Sequence, residues 1–185
     1  MSIRTKRWSR EEYERAVAGG TFAPDARLQL IEGEIVEMTP QGAAHVAAVR
    51  AVEEAVRALF GSGYDVRVQA PLALLPDSEP EPDVAVVSGS FRDYREHHPT
   101  TAILVVEVAD TSLEFDRTRK MTVYAQSGIP EYWLLNLPAR RLEVYRDPDT
   151  RVGNYRSRTL LEPHQEITPV SLSLRAGILV ETLLP

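Results

Sequence analysis

The most apolar stretch of the chain is Ala102-Ile-Leu-Val-Val-Glu-Val-Ala109, and Glu107 is its one charged residue. A continuous apolar run of this length, rich in β-branched residues, predicts a buried strand near the centre of a sheet. A carboxylate inside such a strand is costly unless a cation, a hydrogen-bond donor or a metal ion faces it. Glu107 is therefore either half of a structural ion pair or a member of a functional site.

A second carboxylate opens the apolar run that comes before it. Glu81-Pro-Asp83 leads directly into Val84-Ala-Val-Val87, which predicts a short buried strand. Taken alone, Asp83 is equally well explained as a residue that starts a strand after a proline. Two carboxylates on adjacent strands, however, can share one Mg²⁺, which takes one or two protein carboxylates and keeps positions for water and phosphate. We predict that Asp83 and Glu107 point to one place and bind Mg²⁺ or Mn²⁺.

Lysine is rare in this chain. Of its 21 basic residues, two are lysines, Lys6 and Lys120. Lysine offers a compact ammonium group, whereas arginine is always charged and fork-shaped. Two carboxylates and one lysine are typical of metal-assisted phosphodiester cleavage, which predicts a catalytic role for Lys120. The alternative is a helix-surface lysine that pairs with Asp116, four residues earlier. Tyr124, four residues later, would share the face of Lys120.

The remaining pattern is that of an α/β protein. Helices are predicted from Ser9 to Gly19, over Ala43–Phe60 and over Arg117–Ser127, and strands over Arg27–Ile31, Glu34–Met38, Tyr64–Ala70, Leu72–Leu75, Asp83–Val87, Ala102–Ala109, Glu131–Leu137, Arg141–Tyr145 and Tyr155–Leu161. The helices repeat apolar residues every three or four positions, and the strands alternate or are continuously apolar. The length of 185 residues fits one domain, a mixed sheet flanked by helices over residues 1–185.

Composition limits the functional classes. The net charge of −6 argues mildly against a protein dedicated to nucleic-acid binding, although a bound cation inverts the local field at a metal site. The chain has no cysteine, which excludes disulfides and thiolate metal sites. No apolar run approaches the roughly 18–20 residues that span a membrane, and the N-terminus lacks the apolar segment of a signal peptide. We expect a cytoplasmic protein without a membrane anchor.

Two further positions could contribute to the site. His45 lies in the first turn of a predicted helix and could contact the carboxylates, although an ordinary polar first-turn residue is the commoner interpretation. Glu32 and Glu34 flank a predicted hairpin turn, where solvated side chains are usual, but one of them could supply a third acidic group.

The order of these motifs resembles a known family. The matching segments are Leu28-Gln-Leu-Ile-Glu-Gly-Glu34, Met38-Thr-Pro40, Glu81-Pro-Asp83, Leu104-Val-Val-Glu-Val108 with Ala-Asp-Thr-Ser112, Asp116…Lys120…Tyr124-Ala125 and Gly128-Ile-Pro-Glu-Tyr-Trp133. In this order they resemble the bacterial putative restriction endonuclease family of the PD-(D/E)XK nuclease superfamily. The resemblance covers the chain from about Leu28 to Leu137, and it implies a restriction-endonuclease-like α/β fold with a metal site at one sheet edge.

The resemblance also implies site residues. It assigns the two motif acids to Asp83 and Glu107. Ala109 departs from the superfamily pattern, because lysine is expected two residues after the second acid. The resemblance implies that the family supplies this lysine from the following helix, which matches Lys120. Gln29 stands where an acid is common, so a third acid would come from Glu34 or Glu32.

These observations predict a Mg²⁺-dependent endonuclease that hydrolyses phosphodiester bonds in DNA, with Asp83, Glu107 and Lys120 as catalytic residues. Auxiliary roles are open to Glu34, His45, Asp116 and Tyr124. One alternative is a catalytically silent nuclease-fold protein that binds nucleic acid or another partner, which the net charge of −6 favours. Another is a hydrolase of a different phosphate ester, because a fold does not fix its substrate.

We also expect a homodimer, because a chain of this size covers few base pairs and two-fold sites are commonly cut by two-fold enzymes. The C-terminal strands and the segment Glu131–Trp133 are the candidate contact regions. Light scattering at high protein concentration would test this expectation.

Overall fold

A mixed six-stranded sheet forms the centre of the computed structural model, which describes residues 4–172 and 177–185. In chain order the elements are α1 (Arg10–Ala18), β1 (Leu28–Ile31), β2 (Glu34–Glu37), α2 (Ala43–Phe60), β3 (Tyr64–Val68), β4 (Val84–Ser88), β5 (Leu104–Ala109), α3 (Leu113–Phe115), α4 (Met121–Gln126), β6 (Glu131–Asn136), β7 (Arg141–Asp149), β8 (Asn154–Leu161), β9 (Glu166–Ile167) and β10 (Ile178–Leu179). The large sheet has the order β3-β4-β5-β6-β7-β8, and β5 and β6 are its parallel pair. The α/β fold class and the mixed sheet predicted from the sequence are confirmed.

Strand β5 lies inside the sheet and is buried along its whole length, as its apolar sequence predicts. Successive side chains of a strand point to opposite faces. Val106 and Val108 therefore join one apolar core, which includes α2, while Val105 and Ala109 join a second core on the α4 face. By the same alternation, Glu107 projects from the α4 face.

The helix after β5 contains an irregular turn. Between α3 and α4, residues Asp116–Lys120 form a π-helical turn, so the three segments follow each other without a break. Such turns widen a helix locally and are often found at functional sites. Asp116 and Lys120 are both buried on this turn.

A small hairpin, β1–β2, packs beside this helix. Its two-residue turn is Glu32-Gly33, and both residues have positive φ, 50° and 76°. A side chain at Gly33 would meet Arg7 Cβ at 2.7 Å and the carbonyl oxygen of Trp8 at 3.1 Å. Glycine is thus required by both the turn geometry and the N-terminal segment packed on it.

Three expectations from the sequence need correction. The predicted strand Leu72–Leu75 is an irregular segment, with one isolated bridge between Leu75 and Ser78. The strand predicted over Arg141–Tyr145 is longer than expected, because β7 extends to Asp149. Glu131–Trp133 is fully buried inside the protomer, so it cannot be a dimer contact.

The homodimer itself stays a prediction. Its remaining candidate surface is β8, the exposed strand at one edge of the large sheet. Among the described residues, no helix combines the length and the apolar content needed to cross a membrane.

Candidate active site

Asp83 and Glu107 come together because of the register between β4 and β5. Val84 pairs with Val106 and Ala85 with Val105 in this antiparallel pair, so continuing the register places Asp83 opposite Glu107. The backbone N–H of Asp83 donates to Oε2 of Glu107 over 3.4 Å. The two predicted acids therefore face each other across neighbouring strands.

The Asp83 carboxylate is held from three directions. Its Oδ2 accepts hydrogen bonds from the backbone N–H of Val108 at 2.9 Å and from Nε2 of His45 at 3.2 Å, and its Oδ1 accepts from Nε2 of Gln69 at 3.2 Å. Burial alone would raise the pKa of Asp83, but His45, Lys120 and the Val108 N–H outweigh burial and lower it. Asp83 is therefore an ionised carboxylate fixed in one orientation. In return, its hydrogen bond to His45 raises the pKa of that imidazole.

The Glu107 carboxylate is bound by two side chains from the following helix. Nζ of Lys120 donates to Oε1 of Glu107 over 2.9 Å, and the hydroxyl of Tyr124 donates to the same oxygen over 2.5 Å. Burial raises the pKa of Glu107 to about 8, and the charges of Asp116 and Asp83 add to this shift while Lys120 and Tyr124 oppose it. An ionised Glu107 is therefore costly until a further cation approaches.

Asp116 completes the buried charge cluster. Its Oδ1 lies 3.8 Å from Nζ of Lys120, and its Oδ2 accepts a hydrogen bond of 2.5 Å from the hydroxyl of Ser112. Burial alone would lower the pKa of Lys120, but Glu107, Asp116 and Asp83 outweigh burial and raise it. Lys120 is consequently a permanent ammonium ion. It can stabilise negative charge, but it does not serve as a general base in this state.

These groups lie in a cleft of about 480 Å³. Its polar lining includes Gln29, His45, Gln69, Glu81, Asp83, Glu107, Asp116 and Lys120, together with Arg27 and residues Asp110 to Ser112. Helix α2 begins at this cleft with Gly42 as its N-cap, without a side-chain cap and without an acid in its first turn. The free N–H groups there favour an anion.

The residues fit a hard divalent cation. Asp83 and Glu107 supply two carboxylates at one place, and magnesium commonly takes that number from protein. Burial, with the charges of Asp116 and Asp83, raises the pKa of Glu107 despite the nearby Lys120 ammonium, so a further cation would stabilise the ionised carboxylate. Within residues 4–172 and 177–185, no group of three or more His, Cys, Asp or Glu side chains is arranged to hold a metal ion. Water and phosphate oxygens would thus complete the shell of a bound Mg²⁺.

The structure excludes the surface interpretation of Lys120, because this lysine is only 5% exposed. Among the auxiliary candidates, His45, Asp116 and Tyr124 contact the central residues. Glu34 does not line the cleft. It pairs with Arg119 and Arg7 on the outside of the hairpin, while Glu32 also pairs with Arg119. Their contribution is to anchor the helix that carries Lys120.

Sequence reasoning missed Gln69, which lies just after β3. This residue adopts a positive φ of 47°, which is uncommon outside glycine, and both its backbone and its side chain bond to Asp83. Nothing in the local sequence marks it. Glu81 was recognised as part of a motif but not as a cleft residue; burial raises the pKa of its carboxyl, against the charges of Arg27 and Lys120.

Comparison with known proteins identifies the family and the fold of the chain. Residues 10–179 match the model of the Uma2 family, which is described as "Putative restriction endonuclease". The chain belongs to this family. No curated protein matches the chain.

A solved structure from Anabaena variabilis, described as a putative nuclease belonging to DUF820, superimposes with a TM-score of 0.74. The alignment covers 95% of this chain and 97% of that chain at 16% sequence identity. At this identity the likeness shows a shared fold. Together the two comparisons confirm the restriction-endonuclease-like family and fold that the sequence motifs predicted.

Proposed function

We propose that this protein is a Mg²⁺- or Mn²⁺-dependent nuclease that hydrolyses phosphodiester bonds in DNA. The observation that carries the proposal is the convergence of Asp83 and Glu107, on neighbouring strands, with the buried ammonium of Lys120 in one cleft. Membership of a family described as restriction endonucleases supports the same reaction class.

Asp83 and Glu107 would hold the metal ion. When bound, the ion would supply Lewis acidity that polarises a phosphoryl oxygen. Lys120 would place its ammonium beside the negative charge that develops on the phosphoryl group, in a buried site where such a charge is stabilised strongly. Tyr124 positions Glu107 through its 2.5 Å hydrogen bond, and Gln69 and His45 position Asp83. Arg27 is the further cation in the cleft lining and would contact substrate phosphate.

The test is metal-dependent cleavage by the purified protein, using a panel of single-stranded and duplex DNA and RNA. We expect cleavage with Mg²⁺ or Mn²⁺, none with EDTA, and losses of at least 100-fold in Asp83→Asn and Glu107→Gln. Asp65→Asn is the matched control, because Asp65 lies on the adjacent strand β3 and pairs with Arg67 outside the cleft. Cleavage that survives in both acid variants would refute the assignment.

The second candidate is a nuclease-fold protein that binds without cutting, and the net charge of −6 favours it. In that case, nucleic acid would bind with equal affinity to the parent and to Asp83→Asn, and no metal would induce cleavage. The same panel therefore separates the two functions.

A further inference from the structure

Three half-buried apolar side chains line the cleft but belong to neither apolar core: Val36, Met38 and Phe115. We call these residues the apolar wall. Val36 and Met38 come from β2 and the residue after it, and Phe115 directly precedes Asp116. Ligand sites typically combine an apolar lining with a few polar groups, so apolar surface placed beside reactive carboxylates indicates a ligand with a flat apolar part.

The Phe115 ring is held in position by a chain of polar contacts. The guanidinium carbon of Arg119 lies 5.8 Å from the ring centroid. Arg119 in turn donates to Glu32 Oε2 at 3.1 Å, to Glu34 Oε2 at 2.7 Å and to the Ile31 carbonyl at 3.1 Å. These contacts join the β1–β2 hairpin to the helix, so both parts of the wall are fixed before a ligand arrives. Such preorganisation lowers the entropic cost of binding.

We propose that the apolar wall binds the nucleobase next to the scissile phosphate, so that the preferred substrate is a strand whose base is unpaired there: single-stranded DNA or an overhang. This inference rests on the proposed nuclease function and specifies its substrate. Every base has a π-face, so stacking on Phe115 would be tolerant of sequence.

Base stacking and charge favour single-stranded DNA over a duplex as the ligand of the cleft. In a duplex, neighbouring bases cover both faces of each base, and a base must be flipped out before it can stack on protein. A duplex also needs an extended basic surface for its two backbones. Among the described residues, the arginines and lysines that line the cleft are Arg27 and Lys120, and Lys120 is already paired with Glu107. Because carboxylates such as Glu81 and Asp110 also line the cleft, these cations are too few for the two backbones of a duplex.

The direct test uses a single-stranded DNA oligonucleotide that carries 2-aminopurine, whose fluorescence is quenched on stacking. The fluorescence is measured without metal, so that binding is detected in the absence of cleavage. We expect quenching with the parent protein, binding weaker by roughly 10-fold with Phe115→Leu, and parental behaviour with Phe115→Tyr, which keeps the ring. Phe91→Leu is the control, because Phe91 is 63% exposed and lies outside the cleft. Thermal melting checks that each variant is folded.

Cleavage assays separate this inference from the proposed function. If the parent cuts single strands faster than the matched duplex, and Phe115→Leu removes that preference, both proposals are supported. Equal cleavage of duplex and single strand, unaffected by Phe115→Leu, would overturn the base site and leave the nuclease intact. Quenching that depends on Phe115, with no cleavage of any nucleic acid, would support the base site and overturn the nuclease.

Discussion

Lys120 and Glu107 form a buried hydrogen-bonded pair, in which Nζ of Lys120 donates to Oε1 of Glu107 over 2.9 Å. The pair joins the π-helical turn Asp116–Lys120 to the central strand β5. Because Tyr124 donates to the same oxygen, Oε1 is fully occupied, while Oε2 faces the neighbouring strand and Asp83. The helix therefore fixes one oxygen of Glu107 and leaves the other directed towards the second carboxylate.

The first prediction concerns the shape of the Lys120 cation. Lys120→Arg should lower cleavage almost as much as Lys120→Ala, because a planar guanidinium cannot replace a compact ammonium at a site that is 5% exposed. Single-turnover cleavage rates with Mg²⁺ provide the measurement. Near-parental cleavage by Lys120→Arg would show that the charge alone matters and that the assigned geometry does not.

The second prediction concerns metal binding and its pH dependence. The folded-state pKa of Glu107 is raised to about 8 from 4.5. Between these values the metal-free folded state holds a proton that the unfolded state has lost, so Glu107 makes stability fall as pH rises from about 4.5 to about 8. A metal ion must displace this proton. The increase in melting temperature caused by Mg²⁺ or Mn²⁺ should therefore grow between pH 6 and pH 8.

In Glu107→Gln the metal-induced increase in melting temperature should vanish. The metal-free variant should melt no lower than the metal-free parent at pH 8. Asp83→Asn should also abolish the metal response. Differential scanning calorimetry at pH 6, 7 and 8, with and without metal, measures both effects. A metal-induced increase in melting temperature that persists in both variants would mean that the ion binds elsewhere.

The third prediction concerns Glu79, which is 6% exposed and has a buried Oε2 without a hydrogen-bond partner. Burial, together with Glu14, raises its pKa to about 7. Because the folded state keeps this proton above the unfolded pKa, the stability contribution of Glu79 falls as pH rises from about 4.5 to about 7. Glu79→Gln should stabilise the protein by roughly 1–2 kcal/mol at pH 8 and by much less at pH 4.5. Urea unfolding at the two pH values tests this prediction. An equal effect at both pH values would show that titration of Glu79 does not cause the stabilisation.

The sequence was sufficient for the six strands of the large sheet, though not for Leu72–Leu75, and for singling out the two acids, because these signals are local. Glu107 breaks an apolar run, and Asp83 begins the next strand upstream. The antiparallel register that makes them neighbours is seen only in the structure, because the long connection between Ser88 and Leu104 does not fix it. Lys120 could be singled out because lysine is rare in this chain. Its burial on a π-helical turn could not be predicted, because such a turn has no sequence signature comparable to a helix cap.

Other parts of the site depend on long-range packing and could not be predicted. Gln69 reaches Asp83 because its backbone adopts a positive φ after β3, a conformation that the surrounding structure imposes. Glu34 was a candidate third acid, yet Arg119 holds it outside the cleft over 2.7 Å. The pairing of Glu34 with an arginine 85 residues away leaves no trace in local sequence.

The last prediction concerns Glu143, a fully buried carboxylate that supports the turn carrying Lys120. Arg117, on that turn, donates to both oxygens of Glu143, and Tyr145 and Arg158 donate to Oε2 at 2.8 and 2.9 Å. Burial alone would raise the pKa of Glu143, but hydrogen bonds from Arg117, Asn136 and Tyr145 lower it to about 2. The resulting stability is present above the unfolded pKa of 4.5 and is lost as pH falls towards 2.

Glu143→Gln should therefore lower the free energy of unfolding by on the order of 2 kcal/mol at pH 7, since it removes the buried counter-ion of Arg117 and Arg158, whose side chains keep partial contact with water at 27% and 46% exposed. The difference from the parent should shrink as pH is lowered to about 3. Asp147→Asn is the control: Asp147 is 62% exposed in its pair with Arg156, and such pairs contribute about 1 kcal/mol or less. Urea unfolding at pH 7 and pH 3 gives both quantities. A difference between Glu143→Gln and the parent that does not change with pH would show that Glu143 stabilises this turn through packing and not through its charge.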